Sequence, residues 1–124
     1  MSIEETSNVM QQYFAAMGRG EDLSQFFTED VTWLMADSGE QVRGASAVRD
    51  YILDLHSRIV SQKSSDLVVT DGKAYLEGFF VKSTKATSED YSYCLVYDLH
   101  GSRISAMRCY GTLAALMARV NSLG

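Results

Sequence analysis

The chain has 124 residues and a mass of 13.8 kDa, which suffices for one domain with one core but not for two. Eleven basic and sixteen acidic residues give a net charge of −5, which argues against a nucleic-acid partner because phosphate binding needs clustered Lys and Arg. Apolar residues make up 46% of the chain, a globular value, yet no apolar run reaches the roughly 20 residues of a membrane span.

The N-terminal part of the chain has the patterning of a helix. Between residues 3 and 17, apolar side chains recur every three or four positions, which predicts an amphipathic helix that ends at Gly18 and Gly20. A helical turn over residues 23–27 is predicted next, with Asp22 as its N-cap.

A strand, a turn and a second helix are predicted to follow. Residues 31–36 are rich in β-branched and aromatic side chains, which is typical of a strand, and the Asp, Ser and Gly within residues 37–40 indicate a turn. Residues 45–60 again have apolar positions at helical spacing, with Arg and Asp on the opposite side. We therefore expect the second helix there.

The second half of the chain changes to the patterning of strands. Asp71-Gly72 is a two-residue hairpin signal, and His100-Gly101-Ser102 indicates a further turn. Helices followed by a meander of antiparallel strands predict an α+β domain with its helices on one face of a curved sheet. Strands are predicted over residues 67–70, 74–83, 91–97 and 104–110, and a short apolar helix over residues 112–120.

Three stretches of the chain, taken in order, resemble one superfamily. The first contains Tyr13-Phe14-Ala15-Ala16-Met17 and Thr28-Glu29-Asp30-Val31-Thr32-Trp33, the second is Val42-Arg43-Gly44-Ala45-Ser46-Ala47-Val48, and the third is the predicted hairpin over residues 100–110. Their order resembles the nuclear transport factor 2-like superfamily, which includes SnoaL-like polyketide cyclases, ketosteroid isomerases and limonene epoxide hydrolases.

This resemblance implies a cone-shaped α+β fold, in which a strongly curved and mostly antiparallel sheet wraps around the N-terminal helices. It implies a single SnoaL-like domain over residues 1–124, with an apolar pocket for a small apolar molecule. It also implies a homodimer formed through the outer face of the sheet. Neither a metal nor an organic cofactor is implied. The superfamily contains isomerases, hydrolases, cyclases and binding proteins, so the fold alone does not select a function.

The ketosteroid isomerase mechanism is only partly represented. By the resemblance, Tyr13 occupies the position of the oxyanion-binding tyrosine, whereas the base position holds Met35 and the acid position holds Tyr93. Asp37 lies two residues after Met35, so strand alternation places both on one face and makes Asp37 a candidate base; a turn residue is the alternative. Tyr93 is a candidate donor. His56, at the border of the second helix's apolar face, is another candidate base, with a surface position as the alternative.

Strand alternation also predicts which side chains line the pocket. If Tyr93 and Cys109 face inward, Cys94 faces outward and cannot form a disulfide with Cys109. The predicted ligand-binding side chains are aromatic or sulfur-containing, with Met and Cys beside Tyr and Trp, and suit a flat or flexible apolar ligand. They are Tyr13, Met17, Trp33, Met35, Tyr93, Met107 and Cys109.

Two kinds of function are compatible with these residues. The first is a small-molecule pocket protein, which as an enzyme moves a proton on an apolar carbonyl compound. In that enzyme Asp37 or His56 is the base, and Tyr13 and Tyr93 donate hydrogen bonds to the developing oxyanion. The alternative is a non-catalytic ligand-binding or protein-interaction module. The polar N-terminus, which has no signal-peptide pattern, and the small number of cysteines predict a cytoplasmic protein with reduced thiols.

Overall fold

The computed structural model describes residues 2–57, 61–83 and 88–111. Two α-helices, one 3₁₀ turn and six β-strands make up this part of the chain. In chain order they are α1 (Ile3–Gly18), the 3₁₀ turn (Leu23–Phe26), β1 (Phe27–Met35), β2 (Glu40–Arg43), α2 (Ala45–Ser57), β3 (Ser61–Val69), β4 (Lys73–Ser83), β5 (Ser88–His100) and β6 (Arg103–Gly111).

Helix α1 begins and ends close to its sequence signals. Ser2 is the N-cap and forms a capping box with Glu5: the Ser2 hydroxyl accepts the Glu5 N–H at 3.1 Å, and the Glu5 carboxylate accepts the Ser2 N–H at 3.3 Å. At the other end, Gly20 adopts a φ of 70°, in the left-handed region that glycine enters without strain. Neither α1 nor α2 has the length of apolar sequence that crossing a bilayer requires.

The six strands form one open sheet in the order β2-β1-β6-β5-β4-β3. Neighbouring strands are antiparallel except β1 and β6, which run parallel. The first long strand is therefore paired with the last one, while the other strands follow as a meander. This arrangement confirms the predicted α+β class with a mostly antiparallel sheet.

Three predicted strand boundaries are wrong, because each strand is longer than its apolar part. β1 begins at Phe27, which the sequence pattern assigns to the preceding helical turn; β3 begins at Ser61 and β5 at Ser88. The added residues of β3 and β5 include Ser, Gln, Lys and Asp, which favour strands weakly on their own. They are held in the sheet by pairing with β4 on both sides of that strand.

Some of the predictions fall on residues outside the described ranges. These are the helix over residues 112–120, the last three residues of the predicted second helix, and residues 84–87 between the predicted strands over residues 74–83 and 91–97.

The core lies between the two helices and one face of the sheet. Apolar side chains of α1 and α2 at helical spacing are buried, as the sequence pattern predicts. Each large side chain that is fully buried contributes about 1.5–3 kcal/mol of hydrophobic stabilisation. Those with less than 2% exposure include Met10, Tyr13, Leu23, Phe27, Val31, Val48, Ile104 and Met107.

Thr6, a buried polar residue of α1, connects the helix to the sheet. Its hydroxyl donates to the Ser2 carbonyl at 3.0 Å and accepts the N–H of Gly72 at 2.9 Å. Gly72 has a φ of 86°, which the tight turn between β3 and β4 requires. The hairpin predicted from Asp71-Gly72 is thus confirmed, and its turn is fixed against α1.

Candidate functional site

A small cavity, here called the inner cavity, lies between the helices and the inner face of the sheet. Its volume is about 20 Å³, and about 10–15 Å³ is enough to hold one water. A larger ligand therefore enters only if a wall side chain moves, and the half-buried Met17 is the most adaptable candidate. The inner cavity is lined by Tyr13, Phe14, Met17, Trp33, Ile52, Leu55, His56, Leu95, Tyr97 and Cys109.

The sheet wall of the inner cavity follows strand alternation. Leu95 is paired with Cys109 across β5 and β6, and Tyr97 is paired with Met107, so the side chains of each pair lie on one face. Trp33 on β1 is paired with Met107 on the parallel neighbouring strand β6. All five side chains are buried. Trp33, Met107 and Cys109 of the predicted ligand-binding set therefore lie on the inner face of the sheet.

The two cysteines lie on opposite faces of the sheet. Cys94 on β5 is paired with Tyr110 on β6, the residue after Cys109, so the two cysteines point to opposite faces. Both are free thiols. Burial raises the pKa of the Cys109 thiol to about 12, and the nearby Asp37 carboxylate acts in the same direction. Cys109 therefore contributes a neutral thiol to the cavity wall rather than a nucleophilic thiolate.

Tyr13 lies at the centre of an aromatic cluster. Its hydroxyl donates a hydrogen bond to the thioether sulfur of Met107 at 3.9 Å, which is a weak acceptor. Burial raises the pKa of Tyr13 far above its ordinary value, so the hydroxyl stays neutral and keeps its proton for donation. The ring centroid of Tyr13 is 5.5–6.2 Å from those of Phe14, Phe26, Phe27 and Tyr97.

Trp33 carries a buried polar atom without a hydrogen-bond partner. The residue is 3% exposed, and its indole nitrogen Nε1 is buried and unpaired. The indole packs on Tyr51 of α2, with ring centroids 5.7 Å apart and an angle of 44° between the planes. The indole N–H acts to lower the pKa of Tyr51, but burial has the larger effect and raises that pKa to about 12. The two groups influence each other without reaching standard hydrogen-bond geometry.

His56 is the titratable imidazole of the cavity wall. It lies in the last turn of α2 and is half-buried. Burial lowers its pKa below the ordinary value of 6.5, so the ring is neutral at neutral pH and can accept a proton. Among residues 2–57, 61–83 and 88–111, no three His, Cys, Asp or Glu side chains cluster so as to hold a metal ion.

Five of the predicted site residues line the inner cavity, and the other four do not. Tyr93, Met35 and Met107 are buried on the inner side of the sheet but do not line the inner cavity. Asp37 is exposed in the turn after β1, where the Gly39 N–H donates to the Met35 carbonyl at 2.8 Å. The residues brought together at the inner cavity are Tyr13, Met17, Trp33, His56 and Cys109.

Five lining residues are absent from the predicted ligand-binding set. Helical spacing places Phe14, Ile52 and Leu55 on apolar faces, and strand alternation turns Leu95 and Tyr97 inward. These signals identify the inward face. They do not identify which part of that face borders a cavity, because this depends on how the helices are seated on the sheet.

No protein-family model and no curated protein matches this chain, but several solved structures are similar to it. An NTF2-like protein from Burkholderia xenovorans LB400 is 25% identical, with a TM-score of 0.77 over 97% of this chain and 98% of that chain. A protein named as a SnoaL-like polyketide cyclase from Jannaschia sp. CCS1 is 11% identical, with a TM-score of 0.75 over 96% and 93% of the two chains. An NTF2-like protein of unknown function from Cytophaga hutchinsonii ATCC 33406 is 13% identical, with a TM-score of 0.71 over 90% and 99%.

Proposed function

Because this chain belongs by its fold to the nuclear transport factor 2-like superfamily, we propose that the inner cavity binds a small, neutral, apolar molecule that carries a carbonyl group. The chemistry of the wall is the observation that carries this proposal. Hydroxyl, thiol, indole and neutral imidazole groups interrupt an aromatic and aliphatic lining, and with His56 neutral no lining side chain is charged. Such a wall suits an apolar ligand with one or two polar atoms, while a charged ligand finds no counter-ion there.

Reducing the cavity volume tests this binding function. We expect two rigid probes with the same ring skeleton, indane and indanone, to bind the wild-type protein. Ile52 lines the inner cavity, so Ile52→Phe is expected to weaken both probes by about tenfold or more. Leu53→Phe is the matched control because the neighbouring Leu53 is 53% exposed and does not line the cavity. Titration calorimetry measures the affinities, and wild-type affinity in Ile52→Phe would contradict the assignment of the site.

Proton transfer is a second candidate function, and the position of His56 favours it. His56, with a neutral imidazole, lines the same cavity as Tyr13. In this reaction the base removes a proton from the carbon next to a carbonyl, and a donor stabilises the oxygen of the resulting enolate. His56 is the proposed base and Tyr13 the proposed donor. Asp37 and Tyr93, which lie outside the cavity lining, stay predicted alternatives.

Exchange of carbon-bound protons is the direct readout of this reaction. We expect the protein in D₂O to exchange the protons next to the carbonyl of indanone, and His56→Gln to slow this exchange by about 10²–10⁴-fold. Since burial lowers the pKa of His56, the rate is expected to hold as the pH falls to about 6.5 and to decrease only below it. His100→Gln, at the exposed end of β5, is the control. NMR follows the exchange, and an unchanged rate in His56→Gln would exclude His56 as the base.

We also propose that two copies of the chain pair through the outer face of the sheet. Val68 and Tyr110 are 56% and 46% exposed on this face, and Arg108 forms an ion pair there with Asp98, at 2.6 Å between Nη1 and Oδ2. Exposed apolar side chains on a sheet face favour burial against a partner. The strand register forms one continuous row on this face from Val68, Tyr75, Val96, Arg108 and Leu34.

A charge on this face is expected to separate the two copies. Tyr110→Lys places two like charges in a symmetric interface, so sedimentation equilibrium should show a dimer for the wild type and a monomer for this variant. Leu53→Lys, an equally exposed position on α2, should remain a dimer. A monomeric wild type would contradict the homodimer and favour the alternative, in which a different protein binds to this face of the sheet.

We also propose a cytoplasmic location for the protein. The two free thiols support this location, because thiols stay reduced in the cytoplasm.

A further inference from the structure

Trp33 is the one tryptophan of the sequence; it lines the inner cavity, and its indole nitrogen is buried without a hydrogen-bond partner. Buried donors in folded proteins are nearly always paired, because losing water without gaining a partner is costly. An indole N–H can only donate. The group that would satisfy it must therefore bring a hydrogen-bond acceptor to the indole of Trp33.

The packing around Trp33 narrows the source of that acceptor. The Tyr51 hydroxyl is one protein candidate, because a hydrogen-bonding contribution from Trp33 acts to lower the pKa of Tyr51. The two rings pack with centroids 5.7 Å apart, but the pair does not reach standard hydrogen-bond geometry. Cys109, another lining residue, keeps its proton because burial raises its pKa, and a thiol sulfur accepts weakly. Apart from Tyr51, a strong acceptor oxygen must come from a molecule in the inner cavity, which is either a water, for which the cavity has room, or a ligand that displaces it.

We propose that the Trp33 indole N–H donates a hydrogen bond to an uncharged carbonyl oxygen of the ligand and thereby selects ketone-like ligands over hydrocarbons of the same shape. This inference rests on the proposed binding function and deepens it by naming the specificity-determining residue. The selection follows from a difference between two complexes. A ketone satisfies the buried N–H, whereas a hydrocarbon covers it and leaves it unpaired.

Indanone and indane form the matched probe pair for this inference. We expect the wild-type protein to bind indanone about ten- to a hundredfold more tightly than indane in titration calorimetry, and Trp33→Phe to bring that ratio close to one. Equal ratios in the wild type and Trp33→Phe would overturn the inference. Since Trp33→Phe could perturb folding, a second measurement on the wild type alone is needed.

A single tryptophan gives a single indole N–H signal in a ¹⁵N-correlated NMR spectrum. Indanone is expected to move this signal downfield, as hydrogen bonding does, and indane is expected not to. Tyr51→Phe is the control: if it moves the indole signal of the unliganded protein upfield, Tyr51 is already the acceptor and the inference is overturned. If both probes bind equally well and the signal is unmoved by indanone, only this inference fails. If neither probe binds, the proposed function and the inference fail together.

Discussion

Replacing Gly111 by alanine is expected to lower the free energy of unfolding by about 2–4 kcal/mol. Gly111, at the end of β6, has a φ of 142°, a conformation that residues with a side chain rarely adopt. A Cβ atom built there collides with the Ser92 carbonyl oxygen and lies 3.0 Å from the Tyr93 Cα. Both neighbours are backbone atoms of β5, so relieving the contact requires the strands to move apart.

Gly101→Ala separates the two causes of this destabilisation. Gly101 also has a positive φ, of 63°, but a Cβ atom there meets nothing within 4 Å. This control is expected to cost about 1 kcal/mol, because only the backbone conformation is unfavourable. Urea denaturation at constant m-value measures both variants. If Gly111→Ala and Gly101→Ala lower the free energy of unfolding equally, β5 and β6 move apart without an energetic cost. That result would contradict the prediction from the backbone contact.

Local sequence signals predict much of this fold because they act over a few residues. The resemblance drawn from three short motifs is confirmed at the level of the superfamily by the solved structures. Alternation in β5 and β6 correctly places Cys109 and Cys94 on opposite faces of the sheet. Asp71-Gly72 correctly marks the turn between β3 and β4. In each case the determining interaction is a neighbour in sequence, a turn geometry or a two-residue repeat.

Other features depend on contacts between distant parts of the chain, and the sequence pattern does not contain them. The polar beginning of β3 at Ser61 is a strand because β4 pairs with it. Trp33 and Met35 face the same side of β1, yet only Trp33 borders the inner cavity. That distinction depends on where α2 crosses the sheet. The contact between Tyr51 and Trp33 depends on the same placement, which explains why Tyr51 is absent from the predicted site.

Tyr13 combines a core position with a polar group, and two substitutions distinguish these roles. Tyr13→Ala is expected to lower the free energy of unfolding by about 3–5 kcal/mol, because it removes the central ring of the aromatic cluster. That ring is 1% exposed and has four aromatic neighbours. Tyr13→Phe keeps the ring and removes a hydroxyl whose protein partner is the Met107 thioether at 3.9 Å. Its stability is expected to stay within about 1 kcal/mol of the wild type.

Because Tyr13 lines the inner cavity, a hydroxyl that contributes little to stability is expected to matter for the ligand. Under the proposed proton-transfer reaction, Tyr13→Phe should slow proton exchange on indanone by about a hundredfold, as the loss of one oxyanion donor does. Urea denaturation and exchange NMR on the same samples compare stability with reaction rate. Phe14→Leu, at a lining position without a hydroxyl, is the control for altered packing of the wall. If Tyr13→Phe is as stable and as fast as the wild type, Tyr13 is a core residue alone. If Tyr13→Phe is as destabilised as Tyr13→Ala, the contact between the Tyr13 hydroxyl and the Met107 thioether is stronger than an ordinary hydrogen bond from a hydroxyl to sulfur.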